Sequence, residues 1–324
     1  MLFAVVVGAV GATGVITAAD RQVGNVDRIE NLEDVLVAVD GPAVNYLLIG
    51  SDSREGADPN ASDAGSVGGA DDVSGRRSDT IMILRQETDG NGASILSLNR
   101  DLWVTHADTG RQDRINAAYN RGADVLAATI TSEYGIAINH VVDIDFFGFK
   151  DLIDTIGGTT ICFEVPVRDR KSGLDQPAGC NLLSGDQALA YSRSRTFQEF
   201  RDGEWRTDGT ADIGRVLRQQ EFIRATVSET LNELKSDPFL ASELIDATSD
   251  SLRLDPNLDP LAAAGTLRKA FGTGLETFTL PSQGANVDGK SVLTVIQGPE
   301  TEGILNYFRG VALLPAPPTT QPGG

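Results

Sequence analysis

Residues Tyr191 to Gln220 gather side chains suited to holding a polyanion. The stretch opens with YSRSR, which sets Arg193 and Arg195 two residues apart. It closes with DIGRVLRQQ, which sets Arg215, Arg218 and Gln219 behind Asp212. In an extended segment, residues two apart point the same way, so Arg193 and Arg195 can share one target. In a helix capped by Asp212, Arg215 and Arg218 or Gln219 lie three or four residues apart on one face. The planar guanidinium fork matches phosphate oxygens and keeps its charge, so converging arginines point to phosphate. The alternative is a solvated helix laced with charge.

Three shorter motifs repeat the theme. GSDSR holds Asp52 and Arg54 at the end of an apolar run, where α/β folds place ligands. GRRSDT sets Arg77 and Asp79 two apart, hence on one side of an extended chain. NRD places Arg100 and Asp101 where another apolar run meets a loop. Mg²⁺ is commonly held by one or two carboxylates together with substrate phosphates, and Asp52 and Asp79 could supply them. The arginines would then bind the remaining phosphate oxygens and stabilise charge on a leaving phosphate. Taken singly, each motif also reads as an ordinary Asp–Arg surface pair; their recurrence at strand ends argues against that.

Composition narrows the partners. Among 324 residues, 46 acids stand against 27 bases, a formal net charge of -19, which excludes the basic footprint of a nucleic-acid binder. Of the bases, 22 are Arg and 5 Lys, so an acidic body carries clustered arginine. Cys162 and Cys180 are consistent with one disulfide or with two separate buried thiols. Closing that loop would stabilise the fold by about 3 kcal/mol and would require an oxidising compartment.

The elements that must position these residues follow from periodicity. Residues 1–19 are uncharged and long enough for one membrane span, or for a signal-peptide core ending at Ala18 and Ala19. No Lys or Arg precedes them, so the chain is expected to begin upstream of Met1. Residues 20–40 have helical spacing (Val26, Ile29, Leu32, Val35, Leu36) and predict a stalk helix. Strands are expected at 45–50, 80–84, 93–98, 141–144, 159–165 and near 276–280, with a loop over 51–77. Helices are expected at 116–132, 146–156, 183–190, 212–235, 240–252 and 261–271. This alternation predicts an α/β (α+β) domain over 41–311, a central mixed sheet flanked by helices, and a disordered Pro/Thr/Gly tail at 312–324.

In this order, NYLLIGSDSR, GRRSDTIMIL, SLNRDLWV, RINAAYNRG, INHVVDIDFFGFKDLIDTIGG, LLSGDQALAYSRSR and DIGRVLRQQEFI resemble the LytR-CpsA-Psr family of bacterial cell-wall enzymes. The resemblance covers roughly Tyr46 to Ile223. It implies a single membrane span and a catalytic domain outside the cytoplasm. It also implies transfer of an anionic glycopolymer from a polyprenyl-pyrophosphate carrier onto peptidoglycan, through a phosphodiester bond and with Mg²⁺ (or Mn²⁺). Asp52 and Asp79 match the metal-associated acids; Arg77, Arg100, Arg193, Arg195, Arg215 and Gln219 match the pyrophosphate-binding set. Arg54, Asp101, Arg114 and Arg218 are expected to support substrate, and Asp101 is a candidate proton acceptor. Arg114 stands where the family usually has Lys, and Asn99 where it usually has Pro. The family context favours a Cys162–Cys180 disulfide. A polyprenyl tail needs an apolar groove, which Phe146, Phe147, Phe149, Leu152, Ile153 and Ile156 could line, although helix core is the expected fate of most of them. Rival expectations are a pyrophosphate hydrolase and a non-catalytic carrier binder.

Overall fold

The computed structural model describes residues 26–51, 78–89, 92–209, 211–236 and 240–313. Seven strands form the central sheet: β1 (Asp27–Arg28), β2 (Ala43–Ser51), β3 (Ser78–Glu87), β4 (Ala93–Leu98), β5 (His140–Ile144), β6 (Leu252–Leu254) and β7 (Leu275–Thr279). Their order is β1-β6-β5-β2-β3-β4-β7. The pairs β1–β6, β5–β2 and β4–β7 are parallel and the remaining three antiparallel, so the sheet is mixed.

Alternation along the strands explains the layers. On β2, Tyr46 and Leu48 enter one core while Leu47 and Ile49 enter the other; on β3, Met82 and Leu84 oppose Ile81 and Ile83. Both faces are apolar, so both must be covered. One is covered by α1 (Asn116–Tyr119), α2 (Ala123–Tyr134) and the C-terminal helix Pro299–Phe308. The other is covered by α3 (Phe146–Thr155), α4 (Gly185–Arg193), α5 (Ala211–Ser236), α6 (Leu240–Thr248) and α7 (Pro260–Gly272); the C-terminal helix is α8. Gly185 allows α4 to start hard against α3: a Cβ there would lie 2.5 Å from the Lys150 carbonyl oxygen. The Gly185 N–H instead donates to Asp154 (2.7 Å).

The expected stalk helix is corrected over its described part. Residues 26–40 form a short strand and turns rather than a helix. Val26 is buried in one core and Ile29 and Leu32 in the other, and Val37 donates its N–H to the Ile138 carbonyl (2.9 Å). Three-residue spacing fits a helix, but here the domain takes each residue individually. The expected span at 1–19 lies outside the described residues; among those described, no helix is long and apolar enough to cross a membrane. The helix expected at 116–132 is broken at Gly122, whose φ of 147° a side chain would disfavour. Cys162 and Cys180 face each other on antiparallel strands Thr159–Phe163 and Gly179–Leu183 and form a disulfide.

Candidate functional site

The pocket lies at one end of the central strands. It lies where β2 ends (Gly50), β3 begins (Asp79, Thr80) and β5 ends (Ile144). Asp145, Phe146 and Phe149 form one wall, Leu189, Ser192 and Arg193 of α4 another, and Arg215 and Gln219 of α5 a third.

Asp79 is the electrostatic centre. Its Oδ1 accepts from Arg100 Nη1 and from Arg195 Nη2 (3.3 Å). Burial pushes the Asp79 carboxyl up, but Arg100, Arg195 and Arg215 outweigh it and hold it below its ordinary value. The group is therefore an ionised carboxylate. No hydrogen bond to Oδ2 is formed among the described residues. Arg193 lies over the Phe146 ring, 4.6 Å from its centroid, which fixes the guanidinium at the mouth by cation–π attraction. Gln219 donates to the Ser192 carbonyl (3.1 Å) and the Thr80 hydroxyl (3.2 Å), tying α5 to α4 and β3.

Arg193 and Arg195 are not on one extended segment, as the sequence suggested. Arg193 closes α4, Ser194 turns the chain, and Arg195 follows. The turn is held by Asp169. It accepts from the Ser194 and Thr196 hydroxyls (both 2.7 Å) and from the N–H groups of Arg195 (3.0 Å), Thr196 (2.8 Å) and Lys171 (2.9 Å). Burial pushes this carboxyl up, yet the hydroxyl and N–H donors bring it down to about 2. Sequence reasoning missed Asp169 because its main partners lie 25 to 27 residues away.

Asp145 was also missed. It caps α3, accepting from the Phe147 (2.9 Å) and Gly148 (3.0 Å) N–H groups, and it lines the pocket. Burial raises its pKa above the ordinary carboxylate value despite those donors. Its place at a strand end was a usable signal, the same one that singled out Asp52 and Arg100.

Other expectations divide. Arg218 is corrected: it does not line the pocket. Three residues beyond Arg215, it is rotated about 60° around the helix, whereas Gln219 at four residues returns to the same face. Arg218 is 7% exposed, pairs with Asp208 (2.9 Å), donates to the Ser194 carbonyl (2.7 Å) and lies 4.4 Å over Phe197. Asp101 lies beside the pocket with its oxygens between Arg100 (3.5 Å) and Arg114 (3.4 Å). Arg114 is anchored further out, on the Ser291 carbonyl (2.8 Å). Asp52, Arg54 and Arg77 lie outside the described residues.

The apolar wall is partly as anticipated. Phe146 and Phe149 reach the pocket with Ile144 and Leu189, while Leu152, Ile153 and Ile156 are core, and Phe147 packs under Lys150. The enclosed cavity is about 40 Å³, room for a few waters and far less than an isoprenoid tail.

The profile of the LytR_cpsA_psr family matches residues 13–306. The cell wall biosynthesis protein LcpA of Corynebacterium glutamicum is 28% identical over 291 residues, covering 80% of this chain and 54% of LcpA. The polyisoprenyl-teichoic acid–peptidoglycan teichoic acid transferase TagU of Enterococcus faecalis is 31% identical over 198 residues, covering 60% of this chain and 61% of TagU. The chain thus spans only 54% to 61% of the length of these two relatives. Among solved structures, the LytR-Csp2A-Psr enzyme from Actinomyces oris superposes with a TM-score of 0.65 at 23% identity, over 87% of this chain and 94% of that one. That likeness shows a common fold.

Proposed function

The chain belongs to the LytR-CpsA-Psr family, and from its pocket we propose a phosphotransferase that moves an anionic glycopolymer from a polyprenyl-pyrophosphate carrier onto peptidoglycan. The observation that carries this reading is the meeting of Arg100, Arg193, Arg195 and Arg215 around one ionised carboxylate, Asp79, beside an apolar wall. Four cations from three segments around this acid leave surplus positive charge, which suits a diphosphate.

A hydroxyl of a peptidoglycan sugar attacks the phosphorus nearest the polymer. The bond from that phosphorus to the bridging oxygen breaks, and polyprenyl phosphate leaves with the electron pair. Arg193, Arg195 and Arg215 hold the phosphate oxygens and stabilise the leaving charge. Asp145 takes the hydroxyl proton, because it lines the pocket and its proton affinity is raised. Asp101, the candidate from sequence, is committed to Arg100 and Arg114. The lipid end lies along Ile144, Phe146, Phe149 and Leu189, and entry of a tail widens the cleft between α3 and α4.

The residues present fit a divalent cation. Asp79 is ionised, with one oxygen outside its arginine contacts, which suits an ion held mainly by substrate phosphates. Mg²⁺ or Mn²⁺, held by Asp79 and by Asp52 from outside the described residues, would neutralise phosphate charge. Among the described residues, no cluster of three His, Cys, Asp or Glu offers a cage made of protein alone.

The disulfide supports a location outside the cytoplasm, and the apolar residues 1–19 support a membrane anchor. The net charge of -19 argues against a nucleic-acid partner. The test supplies purified protein with labelled carrier-linked glycopolymer and peptidoglycan. Label on peptidoglycan is expected. Release of free phosphorylated polymer alone would make the chain a hydrolase, and binding without turnover would make it a carrier-binding regulator.

A further inference from the structure

The opposite end of the central strands holds a second and larger cavity, of about 600 Å³. That volume is typical of a small-molecule site. It opens just before β2 (Pro42), at the end of β3 (Arg85, Glu87), at the start of β4 (Ser94) and at the start of β7 (Glu276), and α8 closes it with Tyr307.

Its wall contains an arginine, Arg85, with one nitrogen turned toward Gly310. Arg85 is 3% exposed. Its Nε and Nη2 donate to the two carboxylate oxygens of Glu87 (2.9 and 3.3 Å), and its guanidinium lies 4.7 Å over the Tyr307 ring. Nη1 makes no hydrogen bond among the described residues and faces the cavity wall at Gly310, 3.7 Å from where a Cβ would stand. An acceptor arriving at Nη1 from the cavity gains a charge-assisted hydrogen bond. The Tyr307 hydroxyl is already held by Glu87 and Ser94 (both 3.0 Å), which keeps the ring and arginine in register. Glu87, Asp89 and Glu276 also line the cavity, three carboxylates against one lining arginine, so the rest of the cavity is cation-seeking.

We propose that this cavity binds a small zwitterion of the amino-acid or short-peptide class. Its carboxylate lies on Arg85 Nη1 and its ammonium against the Glu87–Glu276 side. A polyphosphate is disfavoured by three carboxylates, and a purely cationic ligand would leave Nη1 unmet. The site stands independently of the phosphotransferase reading, because none of its residues belongs to the arginine pocket.

The test uses the whole protein and the dipeptide alanyl-alanine, followed by amide NMR shifts. Saturable shifts at Ser94, Gly274 and Gly310 are expected. N-acetylation and C-amidation should each weaken binding about tenfold, the loss of one charge-assisted contact. Arg85→Gln should abolish the carboxylate dependence while inorganic pyrophosphate still binds the arginine pocket. If that buried variant loses pyrophosphate binding as well, Glu276→Gln decides: Glu276 is exposed, so the fold survives, and the ammonium dependence alone should fall. No saturable shift at these three residues, or equal affinity for free and blocked dipeptides, overturns the proposal.

Discussion

The two ends of the central strands use the same three ingredients and arrive at opposite sites. At one end Asp79 meets Arg100 and Arg195, and Arg193 stacks on Phe146. At the other, Glu87 meets Arg85, which stacks on Tyr307. The charge balance is inverted: at the first pocket Arg100, Arg193, Arg195 and Arg215 stand against Asp79 and Asp145, and in the second three acids stand against Arg85. Their origins differ too. Arg85 and Glu87 are two residues apart on one strand, so the pair is local. Asp79, Arg100, Arg195 and Arg215 come from segments up to 136 residues apart, the span from Asp79 to Arg215. Local pairing neutralises; gathering from a distance concentrates one sign of charge. Only a concentrated site has the surplus to hold a diphosphate.

The sharpest way to break this contrast is at Asp79. Asp79→Asn should lower transfer about a thousandfold, measured as labelled polymer on peptidoglycan, whereas Arg85→Gln should leave that rate unchanged. Equal losses from both would mean that the two sites are not separate. The next effect is on stability. Asp169→Ala removes five hydrogen bonds, four of them to the turn carrying Arg195, and should cost about 3 kcal/mol in denaturant unfolding. Because the folded carboxyl sits at about 2 rather than 3.8, its contribution is full above pH 3.8 and is lost as pH falls towards 2. The variant should lack that acid slope. Asp145→Asn retains a good helix cap, so folding should hold while the rate drops about a hundredfold. In the unmodified chain the rate should fall with acid at a pH above the ordinary carboxylate range, since the Asp145 pKa is raised and the base becomes protonated; the variant should flatten that limb. Arg218→Ala is the mildest. It strands Asp208 and the Ser194 carbonyl, so about 2 kcal/mol of stability should go, with KM for the carrier little changed.

Much of the sheet was legible because its strands are apolar runs between turn residues: β2, β4 and β5 fall close to where the spacing placed them. The hairpins around 167–176, 198–207 and 282–295 escaped notice. They are short and mixed in polarity, and their hydrogen-bond partners rather than their side chains define them. Within the site, residue type singled out Asp79, Arg193, Arg215 and Gln219, which line the pocket, and Arg100 and Arg195, which pair with Asp79. It misled at Arg218, where one residue of helical phase separates a pocket wall from a structural brace.

By itself, then, the sequence determined the supply of arginines, the acid at the start of β3, the alternating strands and the pair of cysteines. These depend on residue type and short-range period, which the chain carries wherever it goes. Tertiary structure alone decided which arginine serves the pocket, that Asp169 holds the turn beneath Arg195, that Asp145 faces the site with a raised pKa, and that Arg85 borders a second cavity. Each of those depends on what is packed against the group. Burial and the field of distant charges are set by neighbours far away in the chain, which no local pattern encodes.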